Sequence, residues 1–330
     1  MKAVQVKSFG QPEDAQLTDV VVPMPRSREV RVLSKAIGVN FPDLLVMSGK
    51  YQVLPERPFI PGKDAAGVVE AVGSEVRRFK PGDRVMITQE YGCYAEQFNA
   101  SEDNCHRIPE SVSFRSAAAM GLAYQTAYFA LLIRGSYKKG ETVLVLGAGG
   151  GVGLATVQLA KALGANVIAG VRNEAHALLA RQCSADHVVD LSLPDLKESL
   201  KNQVGICTDG RGADVVIDMV GGSATGACLR AMAWSGRLII VGFASGAIPE
   251  IRANYLLVKN ISVLGLQWSD YRERHPDWVS KVQEELFDLV VRGHLKPHIM
   301  RQYQLSDFAV ALRQLSEGRV EGKVVLAIDE

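Results

Sequence analysis

Thr142-Val-Leu-Val-Leu-Gly-Ala-Gly-Gly-Gly-Val-Gly153 constrains the fold of this chain more than any other stretch. A short apolar strand runs into a glycine-rich turn and then directly into a helix, Leu154-Ala-Thr-Val-Gln-Leu-Ala-Lys-Ala-Leu163. Small residues at such a turn let backbone N–H groups approach a pyrophosphate, and a helix opening at about Val152 adds the positive end of its dipole. In register the fingerprint is Ala148-x-Gly150-x-x-Gly153, with alanine where the first glycine usually sits. The turn residues Ala148, Gly149, Gly150, Gly151, Val152 and Gly153 are therefore the first candidates for binding a dinucleotide. A glycine string alone is weak evidence; the strand before it and the helix after it make it specific.

With 330 residues the chain is long enough for two cores. Its 37 Lys and Arg against 36 Asp and Glu leave no net field to draw nucleic acid or an anionic membrane. No uninterrupted apolar run in the sequence approaches the roughly 20 residues that span a bilayer. Met1-Lys-Ala-Val-Gln-Val starts on a strand pattern and has no signal-peptide core or cleavage site. The five cysteines, Cys93, Cys105, Cys183, Cys207 and Cys228, are odd in number and contain no C-x-x-C pair. They read as reduced thiols of a cytoplasmic protein.

The rhythm of the chain changes once. Up to about Pro109 short β-rich pieces alternate with Gly and Pro: Lys2 to Phe9, Glu29 to Val39, Ala65 to Val72, Asp83 to Ile87 and Tyr94 to Ala100. From about Ser116, helices and strands alternate through Ile261 to Leu264, the pattern of a parallel sheet wound on both faces. The tail offers helices over Trp278 to Arg292 and Ser306 to Glu317 and a last strand over Lys323 to Ile328. The expected fold is α/β: a Rossmann doubly wound parallel sheet, 123–264, inserted in a β-rich domain made from 1–122 and 265–330. Trp268 to Trp278, aromatic and charged, reads as a mobile loop on the substrate side.

Several motifs in this order carry a family resemblance: Gly38-Val-Asn-Phe-Pro-Asp43 with Gly49-Lys-Tyr51, Pro61-Gly-Lys-Asp-Ala-Ala-Gly67, Lys80-Pro-Gly-Asp-Arg-Val85, Gly92-Cys-Tyr-Ala-Glu96, the glycine turn, Ala160-Lys-Ala-Leu-Gly-Ala165 and Gly322-Lys-Val-Val-Leu326. The whole chain resembles a medium-chain dehydrogenase/reductase, and within that superfamily the zinc-free NADPH:quinone oxidoreductase (zeta-crystallin-like) family. The resemblance implies a GroES-like catalytic domain from both chain ends, a Rossmann domain between, and an active site in the cleft. It also implies a homodimer built on a sheet edge, for which Ile261-Ser-Val-Leu-Gly-Leu-Gln-Trp268 is the candidate strand.

Zinc-dependent relatives have Cys where this chain has Asn40 and His where it has Lys63. An amide and an ammonium do not replace a thiolate and an imidazole around zinc. His294 and His298 are separated by Pro297, which breaks any helix between them, so they read as loop residues. No metal is expected. Without one, the chain suits reduction of an activated acceptor, a quinone or an enone, whose developing oxyanion needs hydrogen-bond donors and a proton. By resemblance, Asn40 and Tyr51 lie beside the nicotinamide: Tyr51 could donate to the substrate oxygen and Asn40 could orient a carbonyl. The alternatives are that Asn40 holds backbone, Asp43 pairs or caps the turn, Tyr51 is a loop aromatic, solvent supplies the proton, and Lys63 pairs with a carboxylate. Asp43 and Lys63 are the substrate-side candidates.

No carboxylate ends the second Rossmann strand, Ala169-Gly-Val-Arg-Asn173, so Arg172 and Asn173 are placed to meet a 2′-phosphate and NADPH is the expected cofactor. Here the chain departs from the quinone reductases, whose lysine in the following helix aligns with His176 and whose tyrosine after the third strand aligns with Leu191; the phosphate clamp is rebuilt around Arg172, or weaker, and His176 stays among the cofactor candidates. Resemblance adds Thr126, Gly221, Gly242, Phe243 and Lys323 to the cofactor contacts. Three functions follow: quinone reduction; reduction of an enone or an enoyl thioester; or a non-enzymatic NADPH-binding structural or RNA-binding role. Near-neutral charge counts against nucleic acid.

Overall fold

The computed structural model describes residues 1–328. The chain divides into two compact units, 1–122 with 269–330, and 123–268.

The first unit opens with a two-stranded ribbon, β1 (Lys2–Gln5) and β2 (Gln16–Asp19), and then β3 (Glu29–Gly38). β3 alternates: Val30, Val32, Ser34 and Ala36 are buried while the residues between them are partly exposed, the period-two signature of a strand with one face on a core. After it come α1 (Phe41–Met47), β4 (Asp64–Val72), β5 (Arg84–Thr88), β6 (Gln97–Ser101), β7 (Cys105–Arg107) and α2 (Phe114–Tyr128). β3, β4, β5 and β7 pair antiparallel in that order, and β6 joins β3. Tyr94, which the β-rich reading placed inside a strand, precedes β6 and is fully buried.

In the second unit β8 (Thr142–Leu146), α3 (Gly151–Ala162), β9 (Asn166–Val171), α4 (Glu174–Gln182), β10 (His187–Asp190), α5 (Leu196–Cys207), β11 (Ala213–Asp218), α6 (Gly222–Ala231), β12 (Met232–Ile240), α7 (Ala253–Lys259) and β13 (Ser262–Gly265) alternate. The six strands form one parallel sheet in the order β10-β9-β8-β11-β12-β13, the Rossmann arrangement. All five residues of β8 are buried, as a central strand covered on both faces must be. α6 escapes a reading by periodicity because Gly-Ser-Ala-Thr-Gly-Ala-Cys is small residues throughout, and its apolar stripe carries little bulk.

The tail returns as α8 (Trp268–Arg274), α9 (Pro276–Val291), β14 (Ile299–Gln304), α10 (Phe308–Ser316) and β15 (Lys323–Ala327). β15 pairs antiparallel with β3 and parallel with β14, so the last strand completes the sheet begun by the first residues. Two sequence expectations change here. Trp268 to Trp278 is not a loop but α8 and the first turn of α9, because Trp268, Ser269 and Arg272 are buried and give it an inward face. A segment long and apolar enough to cross a membrane does exist, Phe114–Arg134, since α2 continues as a π-helical stretch from Phe129; 72% of its apolar window is buried inside the protein.

Candidate active site

The start of α1 organises the polar centre of the first unit. Val39 and Asn40 leave β3 extended, and Pro42 in the first turn of α1 needs no hydrogen-bonding N–H there. Asp43 then turns back: its Oδ2 accepts from the Asn40 backbone N–H at 2.9 Å and from the Tyr94 hydroxyl at 2.9 Å. Its Oδ1 is buried with no hydrogen-bond partner among the described residues. Burial, reinforced by the nearby charge of Asp64, pushes the Asp43 carboxyl up to about 7.

Asn40 is held at both ends of its amide. Nδ2 donates to Asp64 Oδ1 at 2.7 Å, and Oδ1 accepts from Lys323 Nζ at 2.6 Å. Lys323 also donates to the Val39 carbonyl at 2.8 Å, and Asp64 Oδ2 accepts from the Leu122 N–H at 3.0 Å. All three side chains are buried, and burial lowers the Lys323 ammonium against the pull of Asp64 and Asp43. Lys323, placed by resemblance at the cofactor, thus has its ammonium on Val39 and Asn40.

Lys63 belongs to a second constellation. Its ammonium donates to Glu90 Oε2 at 2.6 Å and to the Glu90 carbonyl at 3.1 Å, and stands 4.3 Å from the centre of the Tyr51 ring. Arg272 of α8 takes the other carboxylate oxygen, Oε1, at 2.6 Å. Burial opposes the Glu90 charge, but Lys63 and Arg272 together outweigh it and hold the carboxyl below its usual range. Tyr51 itself is half-buried. Sequence reasoning missed Glu90 and the roles of Tyr94 and Arg272, the last of which it weighed only as a contributor to a basic rim for an enoyl thioester. Asp64 and Tyr94 stood in quoted motifs without a role, and the pairings of all four carried no local signal because their partners lie far away in the chain.

In the second unit the carboxyl ends of the parallel strands place the remaining candidates on one edge. Gly147, at φ +82°, accepts the left-handed bend after β8, and its N–H and that of Ala148 both donate to the Gly170 carbonyl at the end of β9. Gly150 caps α3, which opens at Gly151. A side chain at Gly153 would collide with the Gly147 carbonyl, so the turn closes only with glycine there. A Cβ at Gly150 would meet nothing nearer than the Gly147 carbonyl at 3.8 Å. The space over Gly150 is therefore open to a ligand, as a phosphate cradle requires.

After β9, Arg172 is exposed and makes no hydrogen bond or ion pair among the described residues. Asn173 caps α4 by accepting from the His176 N–H at 2.9 Å, and the His176 ring packs against Gly149. Leu191 is in the core. After β11, Asp218 receives the N–H groups of Val220 and Gly221 and the Thr225 hydroxyl at 2.5 Å, which shapes the Gly221 turn. Phe243, beyond β12 and Gly242, is partly exposed and covers Gly221. Thr126 lies buried near the end of α2.

The donor set does not fit zinc at Asn40 and Lys63, whose polar ends are taken by Asp64, Lys323 and Glu90. Among the described residues no group of three or more His, Cys, Asp or Glu is gathered to hold a metal. Burial pushes the Cys93 thiol well above its ordinary range.

Residues 26–128 match the alcohol dehydrogenase GroES-like domain, and 151–284 match the zinc-binding dehydrogenase family. Quinone oxidoreductase-like protein 2 of Bos taurus is 38% identical over 310 residues, covering 93% of this chain and 88% of its own. The Homo sapiens quinone oxidoreductase is 35% identical over 332 residues, 99% of this chain and 98% of that protein. The chain belongs to the medium-chain dehydrogenase/reductase family, with its quinone oxidoreductases. Members of this family are enzymes. Among solved structures, the Escherichia coli quinone oxidoreductase complexed with NADPH matches with a TM-score of 0.91 at 32% identity, covering 99% of this chain and 100% of that one. The quinone oxidoreductase of Pseudomonas syringae pv. Tomato DC3000 matches with a TM-score of 0.91 at 35% identity over 99% of each chain.

Proposed function

We propose that this protein is a zinc-independent, NADPH-dependent oxidoreductase that reduces quinones or similar activated carbonyl acceptors. The observation that carries the reading is the occupation of Asn40 and Lys63 by Asp64, Lys323 and Glu90, which leaves neither side chain available as a metal ligand. NADPH bound on the glycine turn would supply the hydride, two electrons and one nucleus, to an acceptor that needs only one proton to finish as a hydroquinone or saturated carbonyl. The open space above Gly150 and the unpaired guanidinium of Arg172 support a cofactor with a 2′-phosphate. Gly149, Gly151, Val152, Gly221, Gly242 and Thr126 belong to that site by resemblance, as does Phe243.

Tyr51 is the proposed proton donor, its ring held by the Lys63 ammonium standing over it. Asn40, with both ends of its amide held, acts as a strut that fixes the α1 turn and Asp43. The edge strand β13, with Leu257 and Val258 exposed on the neighbouring α7, supports a homodimer. Five free cysteines support a cytoplasmic protein, and the balance of 37 Lys and Arg against 36 Asp and Glu supports one that acts on small molecules rather than on nucleic acid or a membrane.

Steady-state NADPH oxidation against a panel of quinones, 2-alkenals and enoyl-CoA esters tests the reading, together with elemental analysis of protein purified without chelator. Turnover with quinones and no stoichiometric zinc is expected. Turnover confined to enoyl esters would assign the enoyl reductase instead, and tight NADPH binding without any turnover would leave a binding protein. For the clamp, Arg172→Ala should raise the NADPH Michaelis constant about tenfold, the size of one charge-assisted hydrogen bond. An unchanged NADPH constant would remove Arg172 from the site.

A further inference from the structure

The opposite edge of the Rossmann sheet, where the strands begin, carries a recess of about 720 Å³ that the proposed chemistry does not use. The end of α5, the 209–212 turn, the end of α6, the start of β12 and the end of α7 surround it. Four cations line it, Lys201, Arg211, Arg230 and Lys259, against one acid, Asp209. Arg230 is paired with Glu198 at 2.5 Å and Arg211 with Asp214 at 3.4 Å. Lys259 donates to the carbonyls of Leu229, Arg230 and Met232, which secures the end of α6 but leaves its charge unneutralised by any carboxylate. Lys201 is exposed and has no ion pair or hydrogen bond among the described residues. Burial lowers the Lys259 ammonium, and the positive charges of Lys201 and Arg230 lower it further, so the cations repel one another in the recess.

Its apolar wall is unusual for a soluble surface. Trp234 is 72% exposed and Ile206 is 81% exposed beside the cations. Trp234 stands out because of a bulge: Ala213 pairs with Met232 and Val215 with Arg237, so residues 233–236 of β12 face Asp214 alone. Ser235 within the bulge holds a left-handed φ of +62°, a conformation that strains a non-glycine residue. Bulges re-aim side chains, and this one turns an indole toward solvent rather than the core.

From two cations without a carboxylate partner, Lys201 and Lys259, an indole presented by a strained bulge and a recess of ligand size, we propose a second binding site for an organic anion with a flat aromatic body. The anionic group would pair with Lys201, with the Lys259 ammonium, its three N–H donors already on carbonyls, adding only its charge, and the ring would stack on Trp234 against Ile206. The site lies at the amino-terminal edge of the same sheet that carries the glycine turn at its carboxyl edge, so the two do not overlap.

The probe is 8-anilinonaphthalene-1-sulfonate, an aromatic sulfonate, titrated by fluorescence into the native protein in saturating NADPH. One saturable site is expected. Trp234→Ala and Lys201→Glu should each weaken it tenfold or more while leaving NADPH affinity unchanged; both residues are exposed, so neither substitution should disturb the fold. Binding equal to native in both variants would overturn the proposal, as would probe binding seen only in the absence of NADPH and lost when NADPH is saturating, which would place the probe in the cofactor site. The outcome is independent of which acceptor the enzyme reduces, because the assay reads probe binding and not turnover.

Discussion

At the scale of single residues, buried charge sets the most sensitive points. Glu90 satisfies two cations at once, and its side chain and those of Lys63 and Arg272 are 12%, 4% and 5% exposed. Removing one member of such a group leaves an uncompensated charge in a poorly solvated place, so Glu90→Leu should cost about 3–5 kcal/mol in urea unfolding. A loss below about 1 kcal/mol would mean that water reaches both cations. Asp43 and His106 respond to acidity in opposite directions. Asp43 keeps its proton to about 7 in the folded protein and loses it near 4 in the unfolded chain, so its contribution is full below about pH 4 and is lost as pH rises from there to 7. Burial, with the charge of Arg78, lowers His106 to about 3, so the unfolded chain takes up a proton first and stability is lost as pH falls from about 6.5 toward 3. Thermal stability should therefore be nearly level between about pH 4 and 6.5, where the two slopes oppose; Asp43→Asn should leave stability rising with pH in that window, and His106→Phe should leave it falling. A melting profile unaltered by either substitution contradicts these assignments. None of this was legible residue by residue, since a lone Asp or His has no local mark of its surroundings.

At the scale of elements, the strand, turn and helix from Thr142 to Leu163 were legible because every requirement is local: an apolar strand, small residues at the bend and helix formers after it. Two glycines in that turn serve different ends and can be separated. Gly153→Ala forces a side chain into the Gly147 carbonyl and should destabilise the Rossmann unit, seen as a lower melting temperature. Gly150→Ala has room in the protein, so it should leave the melt within about 1 °C and weaken NADPH binding at least tenfold by filling the space a phosphate needs. Equal affinity in native and Gly150→Ala protein would move the phosphates elsewhere. Elements without a local signature were missed or misread. The 268–278 segment reads as a loop because its aromatic and charged residues have no clear period, but Arg272 finds Glu90 and the segment winds into α8 with that side chain inside.

At the scale of the whole molecule, β13 remains an edge strand with its outer hydrogen-bonding groups unpaired within the six-stranded sheet. If a second copy covers it, Leu264→Lys should convert dimer to monomer in sedimentation velocity without changing the far-ultraviolet circular dichroism. A dimer that persists in this variant would place the interface on another surface. The order of apolar, glycine and polar residues determined by itself that the chain would form a parallel nucleotide-binding sheet flanked by a β-rich domain, because strand, turn and helix preferences act over a few neighbouring residues. The motif resemblance, not the pattern, set Asn40 and Lys63 at positions where zinc ligands stand in relatives. What those side chains do was decided only by the tertiary structure: Asn40 meets Lys323 across 283 residues, and Arg272 meets Glu90 across 182. Such pairs depend on burial and on partners that folding brings together, and no local spacing encodes either.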